Sequence, residues 1–213
     1  MSSERVLLAY RMGIFPWSES SQPILWWSPD PRLILYPGDL HIAKSLKRSI
    51  KSKKFSVAVD TRFSDVIERC AHVPRKGEEG TWITHEMIEA YRSLHEKGFA
   101  HSVEVVFEGK LVGGLYGISL GRAFFGESMF CLKSDASKVA LVALDRLAVA
   151  WRFDFIDCQV PTDHLKGSGA REVGRDRFLS LLSRTVRYPT LVGRWTREAE
   201  TCLNRLDERD LGF

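Results

Sequence analysis

Glu127, Asp157 and Gln159 are set apart by their surroundings. Glu127 follows Phe124-Phe125-Gly126, and Asp157 and Gln159 flank Cys158 inside an apolar run. A buried carboxylate or amide is costly unless it is paired or put to use. Asp157 and Gln159 are two apart, so on a strand their side chains leave the same face. An acid and an amide held together suit the positioning of a polar substrate group. They suit equally the satisfaction of backbone groups at a strand end, and spacing alone does not choose.

The elements that must position these residues run from Arg122 to Val160. R-A-F-F-G-E-S-M-F reads as a buried strand, and the segment from Ser137 to Trp151 as a helix lying on a core. F-D-F-I-D-C-Q-V reads as a second buried strand. Strand, helix and strand in this order predict a βαβ unit with parallel strands and a right-handed crossover.

Upstream, Ser102–Phe107 and Lys110–Ser119 read as a hairpin turning at Glu108-Gly109, so three antiparallel strands precede the crossover. Gly113, Gly114 and Gly117 predict bulges or close approach to a ligand. Helices are expected over Ser3–Met12, His41–Ser52 and Phe63–Cys70, after Thr84 as N-cap, and over Arg175–Leu182. Short strands are expected at Leu33–Tyr36 and Phe55–Asp60, and a surface loop at His72–Gly80. The tail from Arg184 carries no clear pattern.

Three of the six tryptophans fall between Ile14 and Arg32, among prolines that forbid long regular structure. Such rings form a small core or a stacking platform for a base. From Lys44 to Lys54, six of eleven residues are Lys or Arg and none is acidic. That face is either solvated or placed against an RNA backbone.

The bulk numbers exclude several classes. The chain has 213 residues, 44% apolar composition and net charge +4, enough for a sizeable core. No apolar run reaches membrane-spanning length, and the N-terminus does not read as a signal peptide. Cys70, Cys131, Cys158 and Cys202 are widely spaced and fit free thiols in a reducing cytoplasm. His85-Glu86 begins like a zinc-protease motif, but Glu89 stands where the second His belongs, and no metal site is expected. Gly126-Glu127-Ser128-Met129-Phe130 lacks the last glycine of a nucleophile elbow. Neither a phosphate-binding loop nor a dinucleotide fingerprint occurs.

The element order is similar to that of acetyltransferase-like (GNAT) folds. There, the turn before the crossover helix carries glycines that hold the pyrophosphate of coenzyme A. Here that turn, Cys131–Lys138, has no glycine and places Asp135 where phosphate would sit, which disfavours coenzyme A.

A closer resemblance spans Gly13 to Leu182. It rests on G-I-F-P-W, P-I-L-W-W-S-P-D-P-R, L-H-I-A-K-S, E-G-T-W-I-T, H-S-V-E-V, L-V-G-G-L-Y-G, F-G-E-S-M-F, A-S-K-V-A-L, I-D-C-Q-V and F-L-S-L-L, in that order. Together these resemble the leucyl/phenylalanyl-tRNA–protein transferase family. The resemblance implies an α+β fold: a small N-terminal lobe over 1–60, with the Trp/Pro loops and basic helix, and a GNAT-like mixed sheet flanked by helices over 61–213.

It also implies transfer of Leu or Phe from aminoacyl-tRNA to the α-amino group of proteins beginning with Lys or Arg, which creates an N-degron. No cofactor is implied, because the aminoacyl ester is already activated. The expected setting is a cytoplasmic monomer. Gln159 would hold the attacking amine, Asp157 would orient it, and Glu127 would help place the acceptor. Leu115, Phe124, Met129, Leu141, Leu144, Ala148 and Ile156 would line the pocket for the transferred side chain. Trp17 and Trp82 would bracket the terminal adenosine, and Lys44, Lys47, Arg48 and Lys51 would take the acceptor stem. The competing readings are a coenzyme-A-dependent acyltransferase and a non-catalytic RNA-binding protein.

Overall fold

The computed structural model describes residues 1–17, 23–73 and 82–206. Its centre is a seven-stranded mixed sheet. In chain order the elements are α1 (Ser3–Arg11), β1 (Phe15–Trp17), β2 (Leu25–Trp27), β3 (Arg32–Leu35), α2 (Lys44–Lys51), β4 (Ser56–Val59), α3 (Phe63–His72), α4 (His85–Glu96), β5 (Ala100–Phe107), β6 (Lys110–Leu120), β7 (Ala123–Cys131), α5 (Ala136–Ala150), β8 (Phe155–Gln159), α6 (Asp163–Gly167), β9 (Arg171–Val173), α7 (Arg175–Thr185) and α8 (Thr196–Leu206). Across the sheet the order is β4-β5-β6-β7-β8-β3-β9, with β1 and β2 forming a separate ribbon.

The expected crossover is present. β7 and β8 are parallel neighbours joined by α5, and every other adjacent pair is antiparallel. The hairpin β5–β6 turns on Glu108 and Gly109, both at positive φ, the conformation that two-residue hairpins require.

Alternation along the strands separates two cores. Phe125, Phe155 and Ile34 face α1, α3, α4 and α7. Phe124, Ile156, Leu33 and Leu35 face α2, α5 and α8. Period-two side-chain direction on apolar strands produces this division, because a strand covered on both faces needs no polar face.

Several local expectations are corrected. The basic helix begins at Lys44 rather than His41, because His41 N–H donates to Ser168 O and holds the preceding residues extended. At Gly113 the close neighbour is a helix rather than a ligand: a Cβ there would lie 2.5 Å from Ala136 Cβ of α5. Gly117 adjoins a bulge between β6 and β7. The patternless tail contains α8, fixed by Trp195, whose backbone N–H donates to the Asp60 carboxylate at 2.8 Å and whose ring stacks on His101. β3 and β4 are both hydrogen-bonded into the main sheet. Most of the loop expected at His72–Gly80 lies outside the described residues.

Candidate active site

β7 and β8 pair only at Ala123–Phe155, Phe124–Ile156 and Phe125–Asp157. Beyond that point β7 continues to Cys131 while β8 ends at Gln159. The strands part, and the gap opens into a cavity of about 680 Å³. Because the opening passes between strands, residues from both faces of the sheet reach it. Leu115, Met129, Leu141, Leu144 and Ile156 come from the α5 side, and Glu127, Asp157 and Gln159 form a polar edge. Trp17 and Trp82 also line it.

The polar edge is a fixed network. Arg32 meets Asp157 with two parallel bonds, Nε to Oδ1 at 2.9 Å and Nη2 to Oδ2 at 2.6 Å. The pair is almost completely buried, 1% and 0% exposed. The guanidinium lies between the rings of Phe15 and Phe178, its carbon 4.6 Å from each centroid. A planar delocalised cation suits this slot, since it gives two in-plane bonds and two stacked faces. Asp157 Oδ1 also accepts the backbone N–H of Gln159 at 2.9 Å. Gln159 sits at φ 62, a left-handed conformation held in place by that bond.

Glu127 forms the other half. Its Oε1 accepts from the Tyr10 hydroxyl and from Gln159 Nε2, and its Oε2 accepts from the Tyr91 hydroxyl at 2.8 Å. The two hydroxyls are 3.1 Å apart. Burial pushes the Glu127 carboxyl up to about 7, opposed by the two tyrosine bonds and reinforced by the nearby Asp157. Burial and the Glu127 charge raise both tyrosines well above their usual range, so they serve as donors. Cys158 lines the cavity, but burial pushes its thiol up to about 12, so it is no thiolate nucleophile at neutral pH.

The structure therefore brings Glu127, Asp157 and Gln159 into one network. Two of the seven pocket residues stand apart: Phe124 and Ala148, each 1% exposed, lie in the core beside the cavity rather than on its wall. Trp17 and Trp82 stack on each other, centroids 5.8 Å apart at 29°, which leaves no room for a third ring between them as they stand. Lys44, Arg48 and Lys51 are exposed and Lys47 half-buried along α2, away from the cavity wall. Among the described residues no group of His, Cys, Asp and Glu has the arrangement to hold a metal ion.

Arg32, Tyr10 and Tyr91 are not evident as site residues in the sequence. Both tyrosines occupy apolar helix stripes and read as core. The available signal was the hydroxyl, which needs a partner when a tyrosine is fully buried. Arg32 closes S-P-D-P-R and reads as a loop residue until Asp157 is seen opposite.

Two family models together cover most of the chain. Leucyl/phenylalanyl-tRNA protein transferase matches residues 34–183, and the N-terminal domain of the same transferase matches residues 1–30. The leucyl/phenylalanyl-tRNA–protein transferase of Desulfatibacillum aliphaticivorans is 54% identical over 95% of this chain and 87% of its own length. That of Myxococcus xanthus is 55% identical over 92% of this chain and 84% of its own. A solved aminoglycoside acetyltransferase from a soil metagenome is 12% identical, covering 55% of this chain and 85% of that one, with a TM-score of 0.40. The chain belongs to the leucyl/phenylalanyl-tRNA–protein transferase family. It is thus an aminoacyltransferase, and among its described residues no helix is long and apolar enough to cross a membrane.

Proposed function

We propose that this chain transfers Leu or Phe from its aminoacyl-tRNA to the α-amino group of proteins that begin with Lys or Arg, in the cytoplasm and as a monomer. The product carries a new apolar N-terminus, an N-degron. The observation that carries the site reading is the cavity at the β7–β8 opening, with an apolar side and the fixed polar edge Glu127–Gln159–Asp157. Family membership supports the donor and the reaction class.

The reaction forms one C–N bond and breaks one C–O bond. The acceptor amine attacks the ester carbonyl, the ribose oxygen leaves, and the proton lost by the amine ends on that oxygen. An α-amine has a pKa of about 7.7–8.0, so a useful neutral fraction exists without a strong base. The Gln159 carbonyl accepts an N–H of that amine and aims its lone pair at the ester. Asp157 acts through the Gln159 backbone, and Glu127 through the Gln159 amide. Positioning of this kind supplies much of the rate. The ribose 2′-hydroxyl carries the proton to the leaving oxygen, so a 2′-deoxy terminal adenosine should transfer slowly.

Leu115, Met129, Leu141, Leu144 and Ile156 receive the donor side chain, with Phe124 and Ala148 behind them setting depth. Trp17 and Trp82 part to take the terminal adenine between them. Lys44, Lys47, Arg48 and Lys51 hold the acceptor stem by its phosphates, which admits many tRNAs carrying the right amino acid.

The test is transfer of labelled Leu from Leu-tRNA to a peptide beginning with Lys, against the same peptide beginning with Glu. Wild type is run beside Asp157→Ala and Gln159→Ala. Transfer to the Lys peptide alone, lost or greatly slowed in both variants, supports reaction and site together. Equal transfer to both peptides removes the acceptor preference, and full activity in the variants removes the site.

A further inference from the structure

The β1–β2 ribbon presents one face of which the proposed adenosine site uses only Trp17. Register pairs Phe15 with Trp27, Pro16 with Trp26 and Trp17 with Leu25. Alternation then sends Phe15, Trp17, Leu25 and Trp27 to one side and Trp26 to the other. Phe15 is buried against Arg32, whereas Trp17, Leu25 and Trp27 remain 36%, 49% and 48% exposed. Trp26 packs on the core under the Arg5 guanidinium. Three large apolar side chains in a row on solvent are unusual for a short ribbon that gains nothing by exposing them.

The strip is continuous with the cavity. Trp82 stacks on Trp17, and the Trp17 and Trp27 centroids are 6.3 Å apart at 49°. Trp17 and Trp82 line the cavity, while Trp27 does not. The rings therefore form a path from the cavity outwards, one ring per step. A single-stranded nucleic-acid end laid along it would meet an aromatic face at successive bases.

Resting on the transferase reading above, we infer that Trp27, flanked by Leu25, is a stacking platform for the unpaired nucleobase next to the terminal adenosine of the donor tRNA. Its chemistry fits any base, because every base offers a π-face and a lone indole reads no edge. The platform acts on the donor beyond its terminal nucleoside, so it should matter for aminoacyl-tRNA and not for a donor that ends at the adenosine.

The experiment compares Trp27→Ala and Trp27→Phe with wild type, using two donors: Leu-tRNA and leucyl-adenosine. Loss of one base stack should raise the KM for Leu-tRNA by about 5- to 150-fold in Trp27→Ala. Trp27→Phe, which keeps a ring, should recover most of this, and kcat should be unchanged. Transfer from leucyl-adenosine should be the same in all three. An equal loss with both donors would overturn the inference and mark Trp27 as a support for the site. No loss with Leu-tRNA would overturn it too, as would a raised KM for the acceptor peptide alone, which would assign the strip to the acceptor chain. Wild type that transfers from neither donor would instead reject the transferase reading itself.

Discussion

Gln159 Nε2 donates to Glu127 Oε1 at 3.2 Å, and this bond decides which end of the amide is available to a substrate. A carboxylate accepts only, so it selects the nitrogen and leaves the Gln159 carbonyl oxygen as the end with no hydrogen bond among the described residues. The two tyrosines make the selection firm by holding both carboxylate oxygens.

Glu127→Gln should therefore slow chemistry without weakening donor binding. An amide in that place offers a donor as well as an acceptor, so Gln159 is free to turn its nitrogen outwards. The expected fall in kcat is up to about 100-fold, the scale of a misplaced reacting group, with the KM for aminoacyl-tRNA unchanged. Steady-state transfer assays separate the two constants; a KM effect alone would assign Glu127 to binding.

The raised Glu127 carboxyl predicts a specific pH dependence. Below about 7 it takes up a proton, gains an O–H to donate, and no longer selects the Gln159 nitrogen. The acceptor amine loses its neutral form over the same range. Log kcat/KM for wild type should thus fall with a slope approaching two on the acid side, and for Glu127→Gln with a slope near one. Identical slopes would remove Glu127 from the profile.

Stability should respond in the opposite sense. The folded state holds the Glu127 proton up to about 7, whereas the unfolded chain releases it near the ordinary value of 4.5. The folded state therefore binds more protons between these values, and stability falls as pH rises through them. The contribution is fully present below about 4.5 and is lost above about 7, on the order of 3 kcal/mol. Urea denaturation at pH 5 and pH 8 should show Glu127→Gln gaining on wild type at the higher pH. A constant difference would contradict the assignment.

Arg32→Met should destabilise the protein by about 3–5 kcal/mol, because it leaves the Asp157 carboxylate buried without its cation. Adding Asp157→Asn should recover part of that loss, and the double-mutant cycle measures the coupling. Additive losses would mean that the 2.6 and 2.9 Å contacts contribute nothing as a pair.

Lys47→Glu with Arg48→Glu should raise the KM for aminoacyl-tRNA and leave kcat in place. The plot of log KM against log salt should flatten by roughly 1 to 2 units, as two phosphate contacts are lost. An unchanged slope would remove α2 from the tRNA path. No ion pair among the described residues competes for Lys47 or Arg48.

The crossover unit was legible because two short, largely apolar runs flank a longer segment with an apolar surface and a wet side. Asp157 and Gln159 stood out for the same reason, as polar residues in an apolar strand. Arg32 did not, because its meaning depends on a partner brought beside it only when β3 pairs with β8. α8 was missed because its burial rests on Trp195 reaching Asp60 at the end of β4, 135 residues away in the chain, a contact no local pattern encodes. The cavity was hidden too. It arises where two paired strands separate, and separation leaves no mark on either strand alone.

The slot around Arg32 has a temporal side. Phe15, Arg32, Asp157 and Phe178 are made in that order on the ribosome, and the guanidinium needs both rings and the carboxylate. A nascent chain that has not yet exposed Phe178 holds a half-built clamp, whatever the state of its sheet. The clamp is thus complete only once the chain has reached Phe178, late in its 213 residues.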